Sequence, residues 1–210
     1  MECGLMIDVQ NDFMKKDGKL YVPGAEEIIP GICETIKELR EYNSPIIASA
    51  DCHFGNKEMA NIETELECNG GLFPMHCQEN TIGANIIKEV EDLCRFKSFP
   101  NTGVKLLKTV SDMLIDMNVG VVPVIQKQTY NIFSNEVAKH ICGIFDTFYV
   151  LGVATEYCVK EAVLGLLKMG KRVIVVEYAI QGVNDIESKK AIDLMMKGGA
   201  VLKICGKMIP

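Results

Sequence analysis

The sequence predicts an α/β fold, a three-layer α/β/α sandwich around a central, mostly parallel sheet of six strands. Two observations predict it. Short apolar runs alternate along the chain with stretches whose apolar residues recur at helical spacing. Such alternation specifies parallel strands joined by right-handed crossovers, with helices covering the sheet. Length and composition agree. At 210 residues, 48% hydrophobic and 24% charged, the chain is expected to form one domain, 1–210, with a substantial core.

The first strand, Cys3 to Ile7, ends at Asp8. From Ala25 to Tyr42, Ile28, Ile29, Ile32, Ile36 and Leu39 share one helical face. Pro45 to Ala50 is the second strand and ends at Asp51. A helix over Val104 to Met117 precedes a third strand, Val119 to Ile125, which leads to Lys127. Asn135 to Cys142 reads as a helix, and the apolar stretch Phe145 to Val153 as the fourth strand. Val159, Ala162, Val163, Leu166 and Leu167 mark the helix behind it. Arg172 to Val176, Ile186 to Lys197 and Ala200 to Ile204 complete the pattern as strand, helix and strand. Met113, Met117, Met195 and Met196 fall at helical spacing and are core filler. The segment from Cys52 to Thr81 breaks the alternation. It is polar, glycine-containing and weakly periodic, and a loop that long usually carries function.

Several function classes are disfavoured. A net charge of -6 without a concentrated basic segment argues against a nucleic-acid partner. The longest apolar runs are too short to span a bilayer, and the N-terminus lacks a signal-peptide pattern. Nine dispersed cysteines suit a reducing cytoplasm better than a disulfide framework, so a cytoplasmic location is expected. Gly165 to Arg172 mimics a phosphate-binding loop. It lacks the hydroxyl residue after lysine and runs from helix to strand, the reverse of what that loop requires.

Cys158 stands where the fourth strand feeds into a helix. A cysteine on a first helical turn feels the positive end of the helix dipole, which favours thiolate, the nucleophilic form. The carboxyl end of a strand is also where open α/β sheets place ligands. Taken alone, Asp8 is most simply a turn or cap residue and Lys127 a solvated lysine. Together, three strands of one sheet deliver a carboxylate, an ammonium and a thiol to one edge. The carboxylate can take the thiol proton while the ammonium stabilises thiolate and developing negative charge.

The histidines give an independent signal. Of three in the chain, His53 and His76 lie in the long loop, and Asp51 precedes His53 by two residues. Asp51, His53 and His76 form a ligand set suited to Zn, Fe or Mn, with water or substrate completing it. A loop held by ordinary hydrogen bonds is the bland reading, and a thiolate zinc site using Cys52 and Cys77 is the competing metal reading. Adjacent residues of an extended segment point opposite ways, which disfavours using both members of either Cys–His pair. His140 is read as an ordinary helix residue.

These segments resemble the isochorismatase-like cysteine hydrolases. Asp8-Val9-Gln10-Asn11-Asp12-Phe13, Asp51-x-His53, Phe73-Pro74-Met75-His76, Lys127-x-x-Tyr130 and Gly152-Val153-Ala154-Thr155-Glu156-Tyr157-Cys158-Val159 occur in that family's order over nearly the whole chain. The Asp-x-His and Pro-x-His elements, with Leu20 to Ala25, resemble its nicotinamidase branch. The resemblance implies a catalytic set of Asp8, Lys127 and Cys158, a cis peptide at Val153–Ala154, and an oxyanion hole from the Ala154 and Cys158 N–H groups. It implies a substrate pocket of Phe13, Phe73, Tyr130, Val153 and Tyr157. The implied reaction is hydrolysis of a linear carboxamide, nicotinamide to nicotinic acid and ammonia, through a cysteine thioester and in NAD salvage. One divalent metal ion, zinc before iron or manganese, would sit in a loop at about 51–81 and anchor the pyridine nitrogen.

Some positions depart from that branch. Phe73 replaces a common tryptophan, Asn131-Ile132 replaces Ser-Ala, and Glu156 replaces the usual aspartate after Thr155. A fourth protein ligand has Asn69, Glu67 and Glu65 as candidates. Two alternatives stay open: an amidohydrolase of carbamoyl or ureido substrates, and a catalytically idle member that binds a metabolite or partner. Homo-oligomerisation is open too.

Overall fold

The computed structural model describes residues 1–55, 62–100, 105–204 and 207–209. Val104 and residues 56–61 of the long loop lie outside the described residues. One sheet organises the molecule. Its strands are β1 (Glu2–Ile7), β2 (Ile46–Asp51), β3 (Arg95–Phe99), β4 (Val121–Lys127), β5 (Thr147–Val153), β6 (Arg172–Gln181), β7 (Val201–Ile204) and β8 (Lys207–Ile209). They form an eight-stranded sheet in the order β3-β4-β2-β1-β5-β6-β7-β8. Every pairing is parallel except β7 with β8.

The expected six strands are therefore extended by two, β3 and β8, both at sheet edges. β3 reads Arg-Phe-Lys-Ser-Phe and buries only Phe99. Its charged residues hide the strand from an apolar-run criterion and suit an edge that must not pair further. β8 is a short antiparallel return against β7. β6 runs past its expected end at Val176 to Gln181, because the β5–β6 pairing slips between Val150 and Gly152 and resumes at Gly152↔Ile180.

Helices cover both faces: α1 (Asn11–Met14), α2 (Ile29–Glu41), α3 (Lys88–Glu91), α4 (Leu106–Asn118), α5 (Glu136–Gly143), α6 (Lys160–Lys168) and α7 (Asp185–Lys197). The period-2 alternation of β1 sorts the core. Cys3, Leu5 and Ile7 face Met113, Ile141, Val163 and Met195 of α4 to α7, whereas Met6 faces Phe13, Ile32, Ile36 and Val90 of α1 to α3. Met117 and Met196 pack against the first layer, as their spacing predicts. Asn135 and Asn184, rather than starting or merely preceding their helices, cap them. Asn135 Oδ1 accepts from Val137 N at 2.9 Å, and Asn184 Oδ1 accepts from Ile186 N and Glu187 N at 3.0 and 3.1 Å. Among the described residues, no helix is long and apolar enough to cross a membrane.

Candidate active site and metal centre

Register brings the chemistry to one edge. Ile7 pairs with Ser49 of β2 and with Gly152 of β5, and Asp51 pairs with Lys127 of β4. Four strands thus end nearly level. From β1 the chain builds the sheet on the β2 side and then returns past β1 to place β5, so the site lies where the strand order reverses. Gly152 allows the close approach there: its φ is +118°, and a β-carbon would stand 2.0 Å from the Ile7 carbonyl oxygen.

Asp8, Lys127 and Cys158 meet in the interior. Asp8 leaves β1 with φ +51°, a turn conformation that aspartate tolerates, and its side chain is fully buried. Ser49 Oγ donates to Asp8 Oδ1 at 2.6 Å. Lys127 Nζ lies 2.8 Å from Asp8 Oδ2, contacts Asp51 Oδ1, and stands 3.7 Å from Cys158 Sγ. Lys127 has no exposed surface, against the solvated reading of an isolated lysine.

The charges set one another. Burial alone would depress the Lys127 ammonium, but Asp51 and Asp8 reverse that and hold its pKa well above the ordinary value. Burial raises Asp8, with Lys127 opposing; burial also acts on Asp51, yet Lys127 and His76 hold that carboxyl below the usual range. Burial pushes the Cys158 thiol well up, with Lys127 opposing it and Asp8 adding to it. This corrects the helix-dipole expectation. Cys158 sits in a single π-helical turn, Thr155–Val159, ahead of α6, and desolvation of the thiolate outweighs any dipole there. Burial thus favours the thiol over the thiolate, which gives a neighbouring base a role in taking its proton. The Val153–Ala154 peptide entering this turn is cis.

A second cluster adjoins the first. Ligand atoms of Asp51, His53, Glu65 and His76, all buried, lie within 4.8 Å of one another. His53 Nε2 is 3.1 Å from Glu65 Oε1, and His76 Nε2 is 3.5 Å from Asp51 Oδ2 and 3.7 Å from Glu65 Oε1. His76 Nδ1 donates to the Pro74 carbonyl at 2.8 Å, which turns Nε2 toward the acids. Both ring nitrogens of His53 and Oε2 of Glu65 are buried and, among the described residues, have no hydrogen-bond partner. Buried groups are rarely left so, and two imidazoles with two carboxylates are a donor set for a divalent ion. The residues fit a metal.

Of the three candidates for a fourth ligand, Glu65 is the one in this group. Glu67 is exposed, and the Asn69 amide donates to the Glu63 carbonyl at 2.9 Å. Cys52 and Cys77 are in neither cluster, and burial raises both thiols, Cys52 to about 11. His140 lies in the last turn of α5 and is exposed.

Aromatic rings ring the metal group. The Phe13 ring centroid is 5.3 Å from that of His76, Phe73 is 6.2 Å from His76 and 5.3 Å from Tyr157, and Tyr130 is 6.3 Å from Tyr157. Val153 differs: its side chain is wholly buried in the core layer beneath α2.

Residues 2–204 match the family model of the isochorismatase domain. The chain belongs to the isochorismatase family. Among relatives, this isochorismatase-family chain is 25% identical to the nicotinamidase of Saccharomyces cerevisiae, with 85% of this chain and 87% of that protein covered. It is 26% identical to the nicotinamidase of Escherichia coli, with 94% and 92% covered. Among solved structures, the pyrazinamidase of Pyrococcus horikoshii in complex with zinc superposes with a TM-score of 0.73 at 27% identity, covering 96% of this chain and 98% of that one.

The family motifs do more than supply the expected residues. Gln10, in the first motif, ties the backbone of Asp51 to the loop at Ala84. Its Oε1 accepts from Asp51 N at 2.7 Å, and its Nε2 donates to the Asp51 and Ala84 carbonyls at 2.8 Å each. Asp12 Oδ2 accepts from Cys77 N at 2.6 Å beside His76, and a β-carbon on Gly83 would stand 2.3 Å from that carboxylate. Ser49 was legible by period alone, since Ser49 and Asp51 share one face of β2.

Proposed function

We propose that this chain is a nicotinamidase, hydrolysing nicotinamide to nicotinic acid and ammonia. The observation that carries the reading is Lys127, which contacts Asp8 and lies beside Cys158 on one side and contacts the metal-group carboxylate Asp51 on the other. A thiol hydrolase site and a metal-binding group are thereby one arrangement. The named nicotinamidase relatives and the zinc complex of the pyrazinamidase support the same reading.

The chain's residues divide the work as follows. Asp8, whose pKa burial raises, accepts the Cys158 proton, and Lys127 offsets the thiolate charge. Sγ bonds to the carboxamide carbon, and the carbonyl electrons move to oxygen, where the Ala154 and Cys158 N–H groups form the oxyanion hole. Collapse of the tetrahedral species breaks the C–N bond, and Asp8 returns the proton to the leaving ammonia. Asp8 then deprotonates a water that cleaves the thioester, releasing nicotinic acid and the thiol. Phe13, Phe73, Tyr130 and Tyr157 flank the ring, with Val153 supporting them from the core. Asp51, His53, Glu65 and His76 would hold the divalent ion, zinc before iron or manganese, which when bound supplies a Lewis-acid anchor for the pyridine nitrogen.

Such a product would feed NAD salvage. The test is ammonia release from nicotinamide, pyrazinamide and a panel of carbamoyl and ureido compounds. Turnover of nicotinamide supports the reading. Turnover of ureido compounds alone would replace it, and no hydrolysis of any amide would favour an idle binding protein.

A further inference from the structure

We infer that Glu156 is a positioning residue for the nucleophile, the group that holds the π turn open so that Cys158 faces Lys127. The inference rests on the reading of Cys158 as nucleophile. A π turn is a rare, locally widened form of helix, made here by i→i−5 bonds: Val159 N donates to the Ala154 carbonyl at 3.2 Å, and Lys160 N to the Thr155 carbonyl. The ordinary α-turn is the common form, so the wider one calls for a constraint. Glu156 supplies the missing constraint from outside.

Its side chain leaves the turn on the side of α7 and is almost fully buried. Glu156 Oε1 accepts from Val183 N at 2.9 Å and from Asn184 N at 2.8 Å, while Oε2 lies 3.2 Å from Val183 N and accepts from Ser188 Oγ at 3.3 Å. The cradle has no spare room, since a β-carbon on Gly182 would stand 2.3 Å from Glu156 Oε2 and 1.9 Å from Ser188 Oγ. Gln181, next along the chain, donates to the Pro23 carbonyl at 3.0 Å, so the segment that grips Glu156 is itself tied to the first loop. The carboxylate therefore pins the second residue of the π turn to the start of a 13-residue helix.

The chemical consequence follows from helix geometry. If the turn tightened to α, Cys158 would rotate about the helix axis by about 100° per residue of register change. Sγ, now 3.7 Å from Lys127 Nζ, would leave the reach of that ammonium. The longer side chain at this position spans the gap to both N–H donors and to Ser188.

The experiment compares E156Q, E156D and S188A with wild type, on zinc-loaded protein. Each is assayed for kcat and KM with nicotinamide, for the rate of Cys158 alkylation by iodoacetamide, and for zinc content. In E156Q, kcat and the alkylation rate should fall together, by about tenfold to a hundredfold for a displaced nucleophile, with KM and zinc content unchanged. S188A, which removes one donor, should show a smaller fall in the same two quantities and keeps the inference testable if E156Q does not fold. E156D retains the charge and should recover part of the loss. A variant that melts earlier but keeps wild-type kcat and alkylation rate would make Glu156 a staple only and overturn the inference. Wild-type protein inert toward every amide would sink the nicotinamidase reading instead, and the alkylation comparison would still decide this one.

Discussion

Replacing Lys127 by methionine tests the charge cluster most directly. Methionine nearly matches the lysine stem in volume and flexibility, so the change removes the ammonium with little effect on packing. Asp8 and Asp51 are then left buried without their shared ammonium, the first beside the Ser49 hydroxyl and the Cys158 thiol and the second beside His76. Breaking a buried ion pair by removing one partner costs about 3–5 kcal/mol, a large share of the roughly 5–15 kcal/mol that holds a domain together. Sharing among three groups places the expected loss at the upper end, about 5 kcal/mol, for metal-free protein at pH 7. The pH dependence has a definite sign. Lys127 lowers the pKa of both carboxylates. Without it both rise, so in the variant a proton can neutralise either group at a higher pH than in wild type. The deficit must therefore shrink as pH falls from 7 toward 4. Urea unfolding of both proteins in chelator at several pH values measures it. Zinc should also reduce the deficit, because an ion on Asp51 replaces part of the lost positive charge. A difference below about 1 kcal/mol at pH 7, the range of an exposed ion pair, would refute the account of a buried, shared ammonium.

Three further outcomes are expected. Cys158→Ala should fold and bind zinc normally yet release no ammonia from nicotinamide, and Cys158→Ser should be severely impaired because a buried alcohol is harder still to ionise; near-normal turnover of Cys158→Ala would remove it as nucleophile. His53→Ala and His76→Ala should lose most zinc by elemental analysis while Cys158 stays alkylatable, and Cys52→Ser should retain zinc; full occupancy in both histidine variants would contradict the four-residue group. Ser49→Ala removes a hydrogen bond that lowers the Asp8 pKa, so the acid limb of the kcat/KM profile should move to higher pH, and an unmoved limb would mean that Asp8 is not the titrating base.

What could be read from the residues follows physical lines. Strands buried on both faces, such as Leu5 to Ile7 and Phe148 to Val153, are continuous apolar runs and announce themselves. β3 does not, because Arg95 and Lys97 belong to an edge that faces water. Asp8, Asp51, Lys127 and Cys158 were legible because each ends a strand or follows one closely, and a parallel sheet must bring those ends together. Glu65 was only one of three candidates, because a loop without periodicity gives no geometry from which to choose. The burial that opposes ionisation of Cys158 is hidden for a different reason. Helix starts are visible in sequence, but the desolvation of a side chain depends on everything packed around it.

Lys127 also bears on how such a protein can change over generations. Asp51 is at once a member of the metal group and a counter-ion for an ammonium with no exposed surface. Among the described residues, His53, Glu65 and His76 form no direct ion pair with that ammonium. A lineage that dispensed with the metal could let those three positions drift, whereas Asp51 would stay constrained until position 127 or position 8 changed with it. Substitutions at 8, 51 and 127 should accordingly be epistatic, each tolerated or not according to the others, with coupling energies of about 0.5–3 kcal/mol in double-mutant cycles.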